Sequence, residues 1–127
     1  MNNPEHLLPC VRSDQTVVMV ADDEPMIRNI ARIWLEAEGY FILTAADGQE
    51  ALLLSRAYPR TIHLVVSDVE MPNMDGLQLR EKLLEERPGT KMLLMSGQAA
   101  VPVELRKPFL AGTLIELVRE MLPSRIG

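Results

Sequence analysis

One cysteine, Cys10, is all the thiol chemistry in this chain of 127 residues. No intramolecular disulfide can form, and with no His or second Cys at ligand spacing, Cys10 reads as a free cytosolic thiol. Aromatic residues are scarce at 4%, and 13 Lys and Arg stand dispersed against 18 Asp and Glu for a net charge of -5. Without a basic face, nucleic acid is excluded as a direct partner. No apolar run approaches the roughly twenty residues of a membrane span. The first fifteen residues lack the basic start and apolar centre of a signal peptide. A cytoplasmic protein with no membrane partner is therefore expected.

What the chain does have is apolar residues, 47% of the total, enough for one core and one domain at this length. Residues 1–15 are polar and proline-marked and read as a flexible N-terminal tail, which leaves 16–127 as the domain. Residues 17–20 run Val-Val-Met-Val without alternation, as a strand covered on both faces does. Pro25 suits the first turn of a helix, Met26, Ile27, Ile30, Ile33, Trp34 and Ala37 recur at helical spacing, and Gly39 ends it. A strand follows over 40–44. Asp47 then stands three residues before Glu50, a capping-box spacing that opens a second helix to about residue 58.

A third strand is predicted over 62–66, with His63 in it as a packed or edge residue and not a ligand. The turn-rich segment 71–76 leads into a third helix that ends before Pro88. A fourth strand covers 92–95, and the last helix covers 111–122. Strands alternating with helices imply a parallel sheet with helices on both faces.

Chemistry gathers at the strand ends. Asp22 and Asp23, Asp68, and Ser96 each follow a short apolar run, and Lys107 follows in a Lys-Pro-Phe step. In a parallel sheet the carboxyl ends of the strands open on one crevice. Three carboxylates there raise one another's pKa unless cations join them, which calls for the lysine and for a divalent metal. Hard oxygen ligands favour Mg2+.

The ordered set Asp22-Asp23-Glu24-Pro25, Asp68 with Met71-Pro72 and Asp75-Gly76, Ser96, and Lys107-Pro108-Phe109 resembles the receiver domain of two-component response regulators over nearly all of 16–122. The resemblance implies a flavodoxin-like, CheY-like doubly wound sheet of five parallel strands. It implies that Asp68 is the phosphoacceptor, taking a phosphoryl group from a sensor histidine kinase or a histidine phosphotransfer protein. Asp23, Asp68 and the backbone carbonyl of Glu70 would ligate Mg2+, Asp22 would hold metal-bound water, and Ser96 and Lys107 would contact the phosphoryl oxygens. The Lys107-Pro108 bond is a candidate cis peptide by the same resemblance. Asp75 reads as a cap or turn residue, and for Glu24 helix capping is preferred.

Two departures stand out. Only ten residues, 97–106, separate Ser96 from Lys107, whereas a parallel crossover usually takes about a dozen or more and a helix. The family's fourth helix should be missing, and the crossover between strands 4 and 5 should shrink to an extended loop. Six extended residues reach roughly 20 Å, just enough to return along a strand of about 17 Å before a fifth strand over 103–107. Loss of a covering helix should bare apolar sheet surface and invite a homodimer or partner through that face, unless a compact loop plugs the gap. The second departure is Glu104, which stands where the family has a switch aromatic. Glu70, two residues after Asp68, adds charge at the site and should alter the lifetime of the phosphoryl group.

The leading expectation is a phosphoacceptor switch. The alternatives are an atypical receiver that docks or acts as a phosphate sink without conventional output, and a receiver fragment of a hybrid kinase. A Mg2+-dependent phosphohydrolase with Glu70 as acid/base is weaker, because so short a chain leaves no substrate pocket.

Overall fold

The computed structural model describes residues 15–122; most of the expected tail and the last five residues lie outside that range. Five strands, β1 (Val17–Ala21), β2 (Phe41–Ala45), β3 (Leu64–Asp68), β4 (Lys91–Ser96) and β5 (Leu105–Arg106), form one sheet in the order β2-β1-β3-β4-β5. Every pairing is parallel. Among the described residues there are four helices: α1 (Pro25–Ala37), α2 (Gly48–Ala57), α3 (Gly76–Glu86) and α4 (Ala111–Met121).

The unbroken apolar strand runs are explained by two cores. Side chains alternate across a sheet, so Val18, Val20, Leu64, Val66, Leu93 and Met95 pack with Ala31, Leu35, Leu114 and Val118 of α1 and α4. Val17, Met19, Ala21 and Val65 face the other way, onto Ala51 and Leu52 of α2 and Leu79 and Leu83 of α3. With helices on both faces, every position of β1 and β3 is buried.

The caps follow the sequence in most places. Gly39 adopts φ 95°, a conformation that costs glycine nothing. Asp47 Oδ1 accepts the Glu50 N–H at 2.8 Å, and Asp75 forms a full capping box with Gln78. Glu24 is a correction: it occupies the N-cap of α1 but makes no side-chain cap bond. Its own N–H donates to Asp22 Oδ1 at 2.9 Å instead. His63, expected inside the third strand, instead lies just before β3 and is half-buried, and its Nδ1 accepts the Val17 N–H at 3.0 Å.

No helix lies between β4 and β5, and β5 is two residues long where five were expected. On the α2/α3 side, where a crossover helix would lie, the strand residue Leu94 is nevertheless only 2% exposed, while Leu93, Met95 and Leu105 face the other way, onto α1 and α4. A compact loop, 97–104, stands where a helix would make the crossover. Arg106 pins the loop by donating to the carbonyl oxygens of Gln98 and of Val101, the latter at 2.8 Å. Glu104 Oε1 accepts the N–H of Leu94 at 2.8 Å, taking the place of a strand partner that the shortened β5 cannot provide. A buried backbone N–H left unpaired would be costly, so Glu104 has a structural task where the family has a mobile ring.

The loop after β3 is fixed from both ends. Asn73, at φ 68°, donates from Nδ2 to Asp47 Oδ2 at 2.7 Å, and the Gly48 N–H donates to the Met74 carbonyl at 3.0 Å. Gly76 opens α3 directly beneath Asp68: a Cβ there would lie 2.3 Å from the Asp68 carbonyl oxygen. Backbone cannot yield cheaply to such an overlap. Gly76→Ala is expected to destabilise the fold by about 2 kcal/mol, read as a lower urea midpoint with unchanged slope.

Candidate functional site

Strand order reverses between β1 and β3, so the loops after these strands part on opposite faces and leave a crevice at their carboxyl ends. Asp22 and Asp23 follow β1, Asp68 ends β3, Ser96 ends β4 and Lys107 follows β5 directly. The expected site residues are therefore brought to one edge. Asp23, Glu24, Ile27, Asp68, Glu70 and Lys107 line a cleft of about 620 Å³ there, with Asp22 and Ser96 fully buried beside it.

Lys107 bridges the acids. Its Nζ lies 2.7 Å from Asp22 Oδ2, 3.3 Å from Asp68 Oδ2 and 3.6 Å from Glu24 Oε1. Burial pulls the ammonium down, but the hydrogen bond and charge of Asp22, joined by those of Asp68, outweigh it and hold Lys107 above its ordinary value. The Lys107-Pro108 peptide is cis, as the resemblance implied.

Asp22 is fully buried, with one oxygen on Lys107 and the other on the Glu24 N–H. Desolvation raises its pKa despite these partners. Asp68, 4% exposed, is raised further, to about 6, chiefly by desolvation and then by the charge of Asp22. Its Oδ1 is buried without a hydrogen-bond partner. Asp22, Asp23 and Asp68 each present an oxygen within 4.8 Å of the others. A buried, unpartnered carboxylate oxygen beside two further acids fits a hard divalent cation.

Ser96, fully buried, sends its hydroxyl to the carboxylate of Glu70, with both oxygens at 2.9 Å. The same Oγ accepts the Gln98 N–H at 3.0 Å. Sequence reasoning missed this pairing and the approach of Glu24 to Lys107. No periodicity signals either one, since both depend on how loops from different strands meet.

The family model of the response regulator receiver domain matches residues 18–118. The chain belongs to that family. Among curated relatives, this receiver chain is 39% identical over 84 residues to a probable transcriptional regulatory protein, TcrX, of Mycobacterium tuberculosis, covering 66% of this chain and 35% of that protein. The chain thus spans about a third of that relative's length. The solved receiver domain of the hybrid histidine kinase CckA superposes with TM-score 0.77 at 36% identity, over 84% of this chain and 99% of that one. The response regulator TrrA of Thermotoga maritima, solved in complex with Mg2+-BeF, gives TM-score 0.73 at 29% identity, over 85% of this chain and 100% of that one. Among the described residues, no helix is long and apolar enough to cross a membrane.

Proposed function

We propose that this receiver is a phosphoacceptor switch of a two-component system, with Asp68 accepting the phosphoryl group from a histidine of a sensor kinase or phosphotransfer protein. The observation that carries the reading is Asp68 Oδ1, buried and unpartnered at the floor of the cleft while Oδ2 faces Lys107. With Oδ1 open to a cation, Oδ2 beside Lys107 is the oxygen left to attack phosphorus.

In the transfer, Asp68 forms an O–P bond as the P–N bond to the partner's histidine breaks. Lys107 holds positive charge beside the phosphoryl oxygens, and Ser96 supplies a hydroxyl donor to one of them. Asp22 orients Lys107 through the 2.7 Å contact. Asp23, Asp68 and the backbone carbonyl of Glu70 would hold Mg2+, with Asp22 behind them. Such a cation would supply the charge neutralisation that phosphoryl transfer generally requires. The Mg2+-BeF complex of TrrA supports this assignment.

Turnover of a separate phosphate ester is disfavoured, because the Glu70 carboxylate is engaged with Ser96 and does not stand free as an acid/base. A docking receiver without phosphoryl chemistry is favoured only by the missing helix between β4 and β5. Acetyl phosphate with Mg2+ separates the readings. Intact-protein mass spectrometry is expected to find one added phosphoryl group on the parent and none on Asp68→Ala; an unlabelled parent would point to docking.

A further inference from the structure

Ser96 has one proton to donate. In the structure that proton goes to Glu70, whose two carboxylate oxygens lie equally close to Oγ at 2.9 Å. The phosphoacceptor reading, on which this inference rests, needs the same proton for a phosphoryl oxygen on Asp68. The two acceptors cannot both be served.

We infer that Glu70 is a positioning residue that holds the Ser96 hydroxyl in the unphosphorylated state, so that phosphorylation of Asp68 proceeds by exchange of this one donor from Glu70 to the phosphoryl group. Three features make the exchange more than a change of partner. Glu70 sits on the loop that Asn73 and Gly48 tie to α2, so its carboxylate is presented from an anchored segment. Ser96 is fully buried, so water does not replace a lost partner at little cost. The Oγ also accepts the Gln98 N–H at 3.0 Å, so a hydroxyl that turns toward Asp68 pulls on the first residues of the loop 97–104. That loop replaces a crossover helix; Glu104 fastens its far end to β4, and Arg106 ties the carbonyl oxygens of Gln98 and Val101 to β5. The exchange therefore offers a route from the site to the altered surface without an aromatic rotamer.

A double-substitution cycle on beryllofluoride affinity isolates this effect. Beryllofluoride with Mg2+ mimics the phosphoryl group on Asp68, and calorimetry reads its binding to the parent, Glu70→Ala, Ser96→Ala and the double variant. In the parent, the gain from the Ser96 hydroxyl is offset by its release from Glu70. Ser96→Ala is therefore expected to weaken binding about tenfold more in the Glu70→Ala background than in the parent, the scale of a charge-assisted hydrogen bond. Simple repulsion between Glu70 and the bound anion cancels in the cycle, because it acts with or without the hydroxyl.

Glu70→Gln keeps the shape with a weaker acceptor, and is expected to show the same sign at smaller size. It serves if Glu70→Ala does not fold. An additive cycle, with Ser96→Ala costing the same in both backgrounds within about twofold, would overturn the exchange and leave the phosphoacceptor reading standing. A parent that binds no beryllofluoride would overturn both.

Discussion

Replacing Asp68 by asparagine is expected to make the folded domain more stable at neutral pH while removing its capacity to accept a phosphoryl group. Asp68 ends a fully buried strand, and burial with the neighbouring Asp22 charge raises its pKa from 3.8 to about 6. The native state thus holds the Asp68 proton more tightly than the unfolded chain. By linkage, ionising Asp68 at pH 7 costs the fold roughly 3 kcal/mol, at about 1.4 kcal/mol for each pKa unit. Asparagine has nearly the same shape and no charge. Allowing for the contact with Lys107 that it weakens, the gain should be about 2 kcal/mol, or several degrees in the melting temperature.

The sign fixes the pH window. For an acid with a raised native pKa, the destabilisation is complete above about pH 7 and vanishes below about pH 4, where both states are protonated. Urea denaturation across that range should therefore show the advantage of Asp68→Asn shrinking as the pH falls. Added Mg2+ should stabilise the parent more than the variant, since the cation binds the native acids and asparagine is a poorer ligand. An Asp68→Asn domain equal to or weaker than the parent at pH 7.5 would contradict the account. The site would then be adequately neutralised by Lys107 alone.

Much of this site was legible because it is where the apolar pattern stops. Asp22, Asp68 and Ser96 stand at the ends of buried runs, and a carboxylate in such a place needs a cation nearby. The shortened crossover was legible from chain length alone, since ten residues cannot hold a helix and a strand return. The seal over β4 was not. It depends on Glu104 reaching the Leu94 N–H and on Arg106 reaching loop carbonyls, and neither choice leaves a periodic trace. The expected strand over 103–107 shrank to two residues for the same reason, a side chain having replaced a ladder bond.

Arg87 makes the limit plainest. It follows α3, and its guanidinium donates to Ser55 Oγ and to the carbonyl oxygens of Ser55, Tyr58 and Arg60, closing the C-terminal end of α2. Those partners lie 27 to 32 residues away. Only the packing of α2 against α3 brings them into reach, and no local pattern encodes it.

Lys107→Ala is expected to have the opposite effect to Asp68→Asn, with a larger size. Its Nζ is 2.7 Å from Asp22 Oδ2 and 3.3 Å from Asp68 Oδ2, and Asp22 has no exposed surface. Deleting the ammonium leaves two desolvated carboxylates facing each other, and breaking a buried pair from one side typically costs about 3–5 kcal/mol. Lys107→Met separates charge from packing, because it retains most of the apolar stem. It should lose nearly as much.

Protonation gives the internal control. With the lysine gone, both aspartates become harder to ionise, so the native state binds more protons than the unfolded chain at pH 5.5. The deficit of Lys107→Ala against the parent should then be clearly smaller at pH 5.5 than at pH 7.5. Asp22→Asn in the same chain should recover part of the loss, because the repulsion needs both charges. If urea denaturation finds a deficit under about 1 kcal/mol that does not change with pH, Lys107 is no more than a surface partner. Together the two substitutions weigh the site: one removes a charge that the fold tolerates at a cost, the other removes the charge that makes it tolerable.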